Sequence, residues 1–134
     1  DVWSVTSYTE LYREGEIVAR HNTFHPDEPP RASYVTRCLG PRQGPVIAAS
    51  DYSKLFADQI HGHVPRRFVA MGADGFGRSD TREALRRFFE IDRHYLALVA
   101  INALADDGVL HRDRVREAIA KYAIDVARPQ PRTV

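Results

Sequence analysis

The class of fold is decided by the stretch RFVAMGADGFGRSD, residues 67–80. Residues 67–71 form a short apolar run, which is typical of a buried strand. A glycine-rich turn follows over residues 72–80, and a helical pattern begins directly after it. Asp80 and Glu83 have the spacing of a capping box, which marks the start of a helix. The stretch therefore predicts a strand, a turn and a helix in succession.

Strand-like and helical patterns alternate along the rest of the chain. An alternating pattern at residues 1–6 and an apolar run at residues 45–50 predict two more strands, and helical patterns fill the intervals. Asp51 and Asp92 are the expected caps of two of these helices. Because strands separated by helices are joined by right-handed crossovers, this order predicts a parallel sheet. We expect a single α/β domain over residues 1–134.

Three of the predicted helices carry specific expectations about packing. Gly15 lies on the apolar face of the first helix, where it either permits close packing or marks a break, at a cost of about 1 kcal/mol relative to Ala. Residues 95–105 are nearly all apolar, so this helix should be buried on most sides. The helix after Asp51 should turn four side chains toward the core: Tyr52, Leu55, Phe56 and Ile60.

Composition excludes several classes of protein. The 134 residues are 43% hydrophobic, which is enough for a core without covalent cross-links. The single cysteine, Cys38, excludes a disulfide framework and a cysteine-based zinc site. A net charge of +1 argues against a nucleic-acid partner. No apolar run approaches the roughly 18–20 residues of a membrane span. We therefore expect a cytoplasmic protein with neither a nucleic-acid nor a membrane partner.

The first residues lie inside a predicted element. Residues 1–6 alternate like a strand, and no initiator Met precedes them. We expect that the chain is cut from a longer polypeptide and lacks a neighbouring strand. A sheet edge left open in this way is also a possible docking surface for a partner.

The glycine-rich turn is the most distinctive candidate site. Backbone N–H groups between a strand and a helix can bind phosphate. However, the spacing of Gly72, Gly75 and Gly77 differs from the dinucleotide-binding fingerprint, and no lysine follows as in a P-loop. Asp80 would also compete with an anion. A structural turn is the favoured interpretation, and a phosphate-binding module using residues 72–79 is the alternative.

Metal-binding patterns are incomplete. Asp74-Gly75 followed by Asn102 resembles the spacing of the magnesium motif of thiamine-diphosphate enzymes, but Ala73 and Ala103 stand where that motif has Gly and Asn. Two histidine pairs are also closely spaced, but zinc needs three or more ligands and nothing completes either set. These pairs are His21 with His25 and His61 with His63.

Several segments resemble one family in their order along the chain, and residues 74–90 (DGFGRSDTREALRRFFE) are the most specific of them. They are similar to the transketolase-type C-terminal domain, in particular that of the homodimeric bacterial pyruvate dehydrogenase first component. The resemblance covers essentially the whole chain. The other matching segments are residues 2–11, 22–26, 51–57 and 118–125.

The resemblance implies a three-layer α/β/α fold with a mixed, mostly parallel sheet, here lacking its first strand and helix. It implies that the parent enzyme uses thiamine diphosphate and magnesium, decarboxylates pyruvate after glycolysis, and acetylates the lipoyl group of a partner acyltransferase in a multienzyme complex. The implied partners are the upstream domains of the same enzyme, the second subunit of the homodimer and the acyltransferase.

The resemblance also implies where the chemistry is located. The family's catalytic, cofactor-binding and metal-binding motifs belong to preceding domains, so we expect no catalytic residue, no cofactor and no metal in this chain. Alone, the chain should be inactive. The turn should instead be a structural corner that packs against the rest of the enzyme. Its expected interface residues are Asp74, Gly75, Phe76, Gly77, Arg78, Ser79 and Asp80.

Overall fold

Two short parallel strands lie at the centre of the fold. In the computed structural model, which describes residues 1–134, β1 (Val46–Ala49) pairs with β2 (Phe68–Met71), with Val46 opposite Phe68 and Ala49 opposite Met71. The strands predicted at residues 45–50 and 67–71 are therefore confirmed. The chain is a small α/β domain with a parallel sheet, as predicted.

Six α-helices and two short 3-10 turns surround the sheet. None of the helices combines the length and the apolar character that crossing a bilayer requires. The 3-10 turns span His61–His63 and Pro131–Thr133. The helices are α1 (Tyr8–Phe24), α2 (Tyr34–Leu39), α3 (Lys54–Asp58), α4 (Arg82–Phe88), α5 (Arg93–Asp106) and α6 (Asp113–Lys121).

The strand predicted at residues 1–6 is wrong. The segment adopts no strand conformation, and the sheet contains β1 and β2 alone. A strand pattern becomes a strand only when a neighbour supplies ladder hydrogen bonds, and neither β1 nor β2 pairs with this segment. Arg42 holds it instead: its guanidinium lies 3.0 Å from the Asp1 carboxylate and 5.7 Å from the centre of the Trp3 ring.

Side-chain caps begin most of the helices. The Ser7 hydroxyl accepts a hydrogen bond from the Glu10 N–H (3.2 Å), as predicted. The prediction for Asp51 is wrong, because the helix begins later and Ser53 caps α3. Asp51 instead forms an ion pair with Arg86 at 3.0 Å.

Gly15 permits close packing and does not break the helix. α1 runs unbroken through it to Phe24. A Cβ at position 15 would lie 2.6 Å from Cε1 of His63, so the imidazole ring packs directly on the helix backbone. The same ring lies 3.6 Å from the Glu16 carboxylate. This contact joins α1 to the segment between α3 and β2.

A small core lies between the sheet and the helices on one side. The predicted core positions Tyr52, Leu55 and Phe56 are wrong, because all three side chains are exposed, whereas Ile60 is buried as predicted. The reason is that α3 has only five residues, so the helical spacing that linked these positions does not continue. The core cluster consists of Val35, Ala48, Ala57, Ile60, Val64 and Phe68.

α5 is less buried than its composition predicts. It packs against α6 and both strands, but only Tyr95 and Ala103 are fully buried. Leu96 is exposed, and most of the other apolar side chains are half-buried. A helix that is apolar all round therefore keeps part of its surface uncovered.

Candidate functional site at the glycine-rich turn

The glycine-rich turn is fixed at its start by Gly72. A Cβ at this position would lie 2.5 Å from the Tyr52 carbonyl oxygen and would also overlap the Lys54 backbone. The next N–H, that of Ala73, donates to the same Tyr52 oxygen at 3.0 Å. The loops that follow β1 and β2 are therefore in direct backbone contact, and only glycine fits at position 72.

Asp74 strengthens the connection between these two loops. One carboxylate oxygen accepts a hydrogen bond from the Lys54 N–H at 3.1 Å, and the other lies 3.7 Å from the Lys54 ammonium group. The side chain is largely shielded from solvent. Asp74 thus accepts a hydrogen bond from an N–H at the start of α3 that has no partner within the helix, and it neutralises the adjacent charge.

Gly75 brings the turn against the C-terminal segment. Its φ of +134° is a conformation that other residues rarely adopt, and a Cβ there would lie 2.9 Å from the Pro131 carbonyl oxygen. Pro131 itself is buried. The end of the chain therefore packs on the turn at the position where only glycine is free of strain.

The tip of the turn presents an apolar and a cationic group to solvent. Phe76 is exposed, and nothing lies within 4 Å of a Cβ placed at Gly77. The Arg78 guanidinium stacks 4.1 Å from the centre of the Phe88 ring. Arg128 also contacts this ring, at 5.1 Å, and donates to the carbonyl oxygens at the end of α4. Local sequence could not reveal this arrangement, because Arg128 lies about 40 residues away.

The last residues of the turn lead into α4. The Asp80 carboxylate accepts a hydrogen bond from the Thr81 N–H at 2.7 Å. Thr81 caps α4, since its hydroxyl accepts from the Ala84 N–H at 3.2 Å. The predicted capping box of Asp80 and Glu83 is therefore wrong by one position. Ser79 is exposed.

The two ends of the turn are poorly suited to a phosphate. The N–H groups of Ala73, Asp74 and Thr81 already donate to protein oxygens. Asp74 and Asp80 place two carboxylates at the same turn, and these would repel an anion. α4, which follows the turn, has only seven residues. The geometry thus favours the structural interpretation over the phosphate-binding alternative.

Two open clefts lie at the carboxyl ends of the strands. The larger, of about 470 Å³, follows β1 and is lined by Asp51, Arg86, Asp92 and Arg93 among others. The smaller, of about 210 Å³, lies between the turn, α5 and the C-terminal segment. Five of the charged side chains that line these clefts form ion pairs: Asp51 with Arg86, Lys54 with Asp74, and Asp92 with the neighbouring Arg87.

Asp92 is the most constrained of these carboxylates. It caps α5 as predicted, accepting from the N–H groups of His94 (2.8 Å) and Tyr95 (2.9 Å). Burial favours the neutral form, but hydrogen bonds from Tyr95, Arg87 and His94 outweigh it and lower the pKa of Asp92 below its usual value. The carboxylate is held ionised as a structural cap.

The candidate metal ligands all have other partners. Asn102 bonds to Asp106 and Arg112, whereas Asp74 bonds to Lys54, so both side chains are already engaged by other residues of the chain. No three His, Cys, Asp or Glu side chains are grouped where one metal ion could be held. The residues present therefore do not fit a magnesium–diphosphate site.

The two histidine pairs are likewise engaged. His21 and His25 stack with ring centres 4.1 Å apart, and His21 contacts the Glu28 carboxylate at 3.1 Å. His61 contacts Asp58 at 3.2 Å, and His63 packs on Gly15. Both pairs serve local packing.

Comparison with known proteins agrees with the resemblance seen in the sequence. A family model described as the transketolase-like TK C-terminal domain matches residues 1–92. The pyruvate dehydrogenase E1 component of Cupriavidus necator is 54% identical over 134 residues, all of this chain. That of Pseudomonas aeruginosa is 54% identical over 98% of the chain, and that of Escherichia coli K12 is 44% identical over 98%.

The chain spans only 15% of the length of each of these three relatives. The similarity includes α5, α6 and the C-terminal segment, which lie beyond the part matched by the family model. The chain belongs to the transketolase-like TK C-terminal domain family, and its sequence matches the C-terminal region of bacterial pyruvate dehydrogenase E1 components.

Proposed function

We propose that this chain is the C-terminal, dimer-supporting domain of a thiamine-diphosphate-dependent pyruvate dehydrogenase. The parent enzyme would decarboxylate pyruvate and acetylate the lipoyl group of a partner acyltransferase in the cytoplasm. The observation that carries this proposal is the 54% identity over all 134 residues to a relative named as the E1 component. Thiamine diphosphate and magnesium would be bound by preceding domains.

The side-chain chemistry is in keeping with a structural role for this chain in the parent enzyme. Three carboxylates that line the clefts, those of Asp51, Asp74 and Asp92, are held in ion pairs with arginine or lysine. For Asp92, hydrogen bonds from Tyr95, Arg87 and His94 outweigh the effect of burial and lower the pKa, which weakens this carboxylate as a base. These groups thus contribute to packing, and catalysis is assigned to the preceding domains.

The turn is the proposed contact with the rest of the enzyme. Its inner residues, Gly72, Asp74 and Gly75, are fixed by this chain, whereas Phe76 and Arg78 are turned outward. A loop with an exposed aromatic and an exposed arginine has the composition of an interface, where both residue types are enriched. We therefore assign residues 74–80 to an interface within the parent enzyme.

The size and activity of the native polypeptide test the proposal. An antibody against this domain should detect, on a denaturing gel, a polypeptide several times heavier than 15.2 kDa. That polypeptide, purified, should acetylate lipoyl groups when pyruvate and thiamine diphosphate are supplied. Residues 1–134 alone should show no turnover. Turnover by the pure 134-residue chain, or inactivity of the complete polypeptide, would contradict the proposal.

The supporting role has its own test. Removing residues 1–134 from the complete polypeptide should weaken the dimer, as measured by light scattering after size-exclusion chromatography. A truncated polypeptide that remains fully dimeric would argue against that role. Calorimetry should show that residues 1–134 bind thiamine diphosphate no better than an unrelated control protein, and micromolar binding that depends on Asp74 would revive the magnesium interpretation.

A further inference from the structure

The segment after β1, which includes α3, and the turn after β2 carry four large apolar side chains that are exposed. Tyr52, Leu55 and Phe56 are 65%, 67% and 41% exposed, and Phe76 is 80% exposed. The rings of Tyr52 and Phe56 lie 5.0 Å apart and pack against each other. We call these four residues the aromatic surface. Exposed apolar groups on segments that adjoin one another mark interaction sites on proteins.

The two loops that carry the aromatic surface are joined rigidly. The Ala73 N–H donates to the Tyr52 oxygen, and the Asp74 carboxylate accepts from the Lys54 N–H. Gly72 allows the backbones to touch, as no other residue would. The four side chains are therefore presented on one preformed scaffold, which lowers the entropic cost of binding.

The charge beside the aromatic surface indicates the chemistry of its partner. The Lys54 ammonium group is neutralised by Asp74. The Arg78 guanidinium is exposed, stacks on Phe88 and has no carboxylate within 4.0 Å. A cation held in place without an acidic partner suits a carboxylate on the surface that docks there. The complementary surface should thus be apolar with an acidic residue at its edge.

Under the proposed function, the length of the relatives indicates which part of the enzyme covers the aromatic surface. The relatives are several times longer than this chain, which matches their C-terminal region, so the bulk of such a polypeptide precedes Asp1. We propose that the aromatic surface docks, with Arg78, onto an apolar and acidic surface of the polypeptide that precedes Asp1. This inference rests on the proposed function and extends its interface from the turn to the loop after β1.

Site-specific photo-cross-linking of the complete polypeptide tests the proposal. A benzoylphenylalanine is placed at Leu55 or, as a matched control, at Val109, which is 66% exposed. Val109 follows Asp107, which contacts Arg67 just before β2, so it lies toward the opposite end of the sheet. Cross-linked peptides are identified by mass spectrometry in a mixture of isotopically heavy and light enzyme.

The expected result is a cross-link from position 55 to residues that precede Asp1, with loss of that cross-link when Phe76→Ser and Arg78→Glu are introduced together. A cross-link from position 55 to residues 1–134 of another copy, no cross-link, or an equal yield at position 109 would overturn the proposal. Lipoyl acetylation is measured on the same samples. Activity without the cross-link refutes the docking alone, and a cross-link without activity refutes the proposed function alone.

Discussion

Gly15 and Gly72 each allow two parts of the chain to pack closely. Gly15 contacts a side chain, whereas Gly72 contacts backbone. Gly15 faces the ring of His63, a side chain that can rotate away. Gly72 faces the backbone of residues 52–54, which cannot move without displacing the loop after β1. The comparison teaches that a glycine is replaceable where its neighbour is a side chain and irreplaceable where its neighbour is backbone. The predictions below test this distinction, beginning with the largest effect.

Gly72→Ala should be the most damaging substitution. The new methyl group would overlap the Tyr52 oxygen and the Lys54 backbone, so the two loops must separate. We expect a loss of at least about 3 kcal/mol in the free energy of unfolding. Urea unfolding followed by far-ultraviolet circular dichroism measures it. Gly77→Ala is the matched control in the same turn, because nothing surrounds that position. Equal stability of the two variants would show that the backbone contact does not make Gly72 irreplaceable.

Gly75→Ala should have the next largest effect. The substitution combines an unfavourable φ of +134° with a close approach to the Pro131 oxygen. We expect a loss of about 2 kcal/mol in the same measurement, since a strained backbone conformation costs on this order. A second expectation is that the C-terminal segment becomes more accessible to carboxypeptidase. An unchanged digestion rate would show that the contact with Pro131 is unimportant.

Gly15→Ala should cost less, because His63 can rotate. The overlap with the ring destabilises the protein, but alanine gains about 1 kcal/mol of helix propensity. We expect a net loss of about 1 kcal/mol. The double variant Gly15→Ala with His63→Ala should recover most of it. If the double variant is no more stable than Gly15→Ala, the ring is not the obstacle.

Asp92 provides a test of stabilisation by a charged group, in contrast to the steric contacts of the three glycines. Asp92→Ala removes the cap of α5 and should cost about 1 kcal/mol at neutral pH. Because the fold lowers the pKa of Asp92, its contribution is present above the ordinary value of 3.8 and is lost as the pH falls through the folded pKa. Unfolding of both proteins between neutral and strongly acidic pH measures this. A difference in stability that persists or grows in acid would be inconsistent with an ionised cap.

Local patterns predicted some parts of the molecule better than others. The strands at residues 45–50 and 67–71 were predictable because each is a short apolar run between turn residues. Residues 1–6 alternate like a strand, yet strand formation depends on a partner that local sequence does not describe. The core face of α3 was mispredicted because the helix ends after five residues.

The glycines in the sequence located the turn, but they did not reveal which residues it contacts. Lys54 lies 20 residues before Asp74, and Pro131 lies far beyond Gly75, so no spacing rule connects them. The role of residues 74–80 as an interface was expected from family resemblance and stays a prediction. The side chains of Tyr52 and Leu55 extend the proposed interface. The sequence did not reveal them, because its helical pattern placed both in the core, whereas the folded chain exposes them.

The position of Trp3 affects how these variants must be studied. It is the only tryptophan in the chain, and it lies in the unpaired segment that Arg42 holds against the domain. Tryptophan fluorescence, excited selectively over that of the six tyrosines, will therefore report when that segment detaches, and not when the core opens. A fluorescence transition that precedes the loss of helical signal would reveal detachment of the leading residues from an otherwise folded domain.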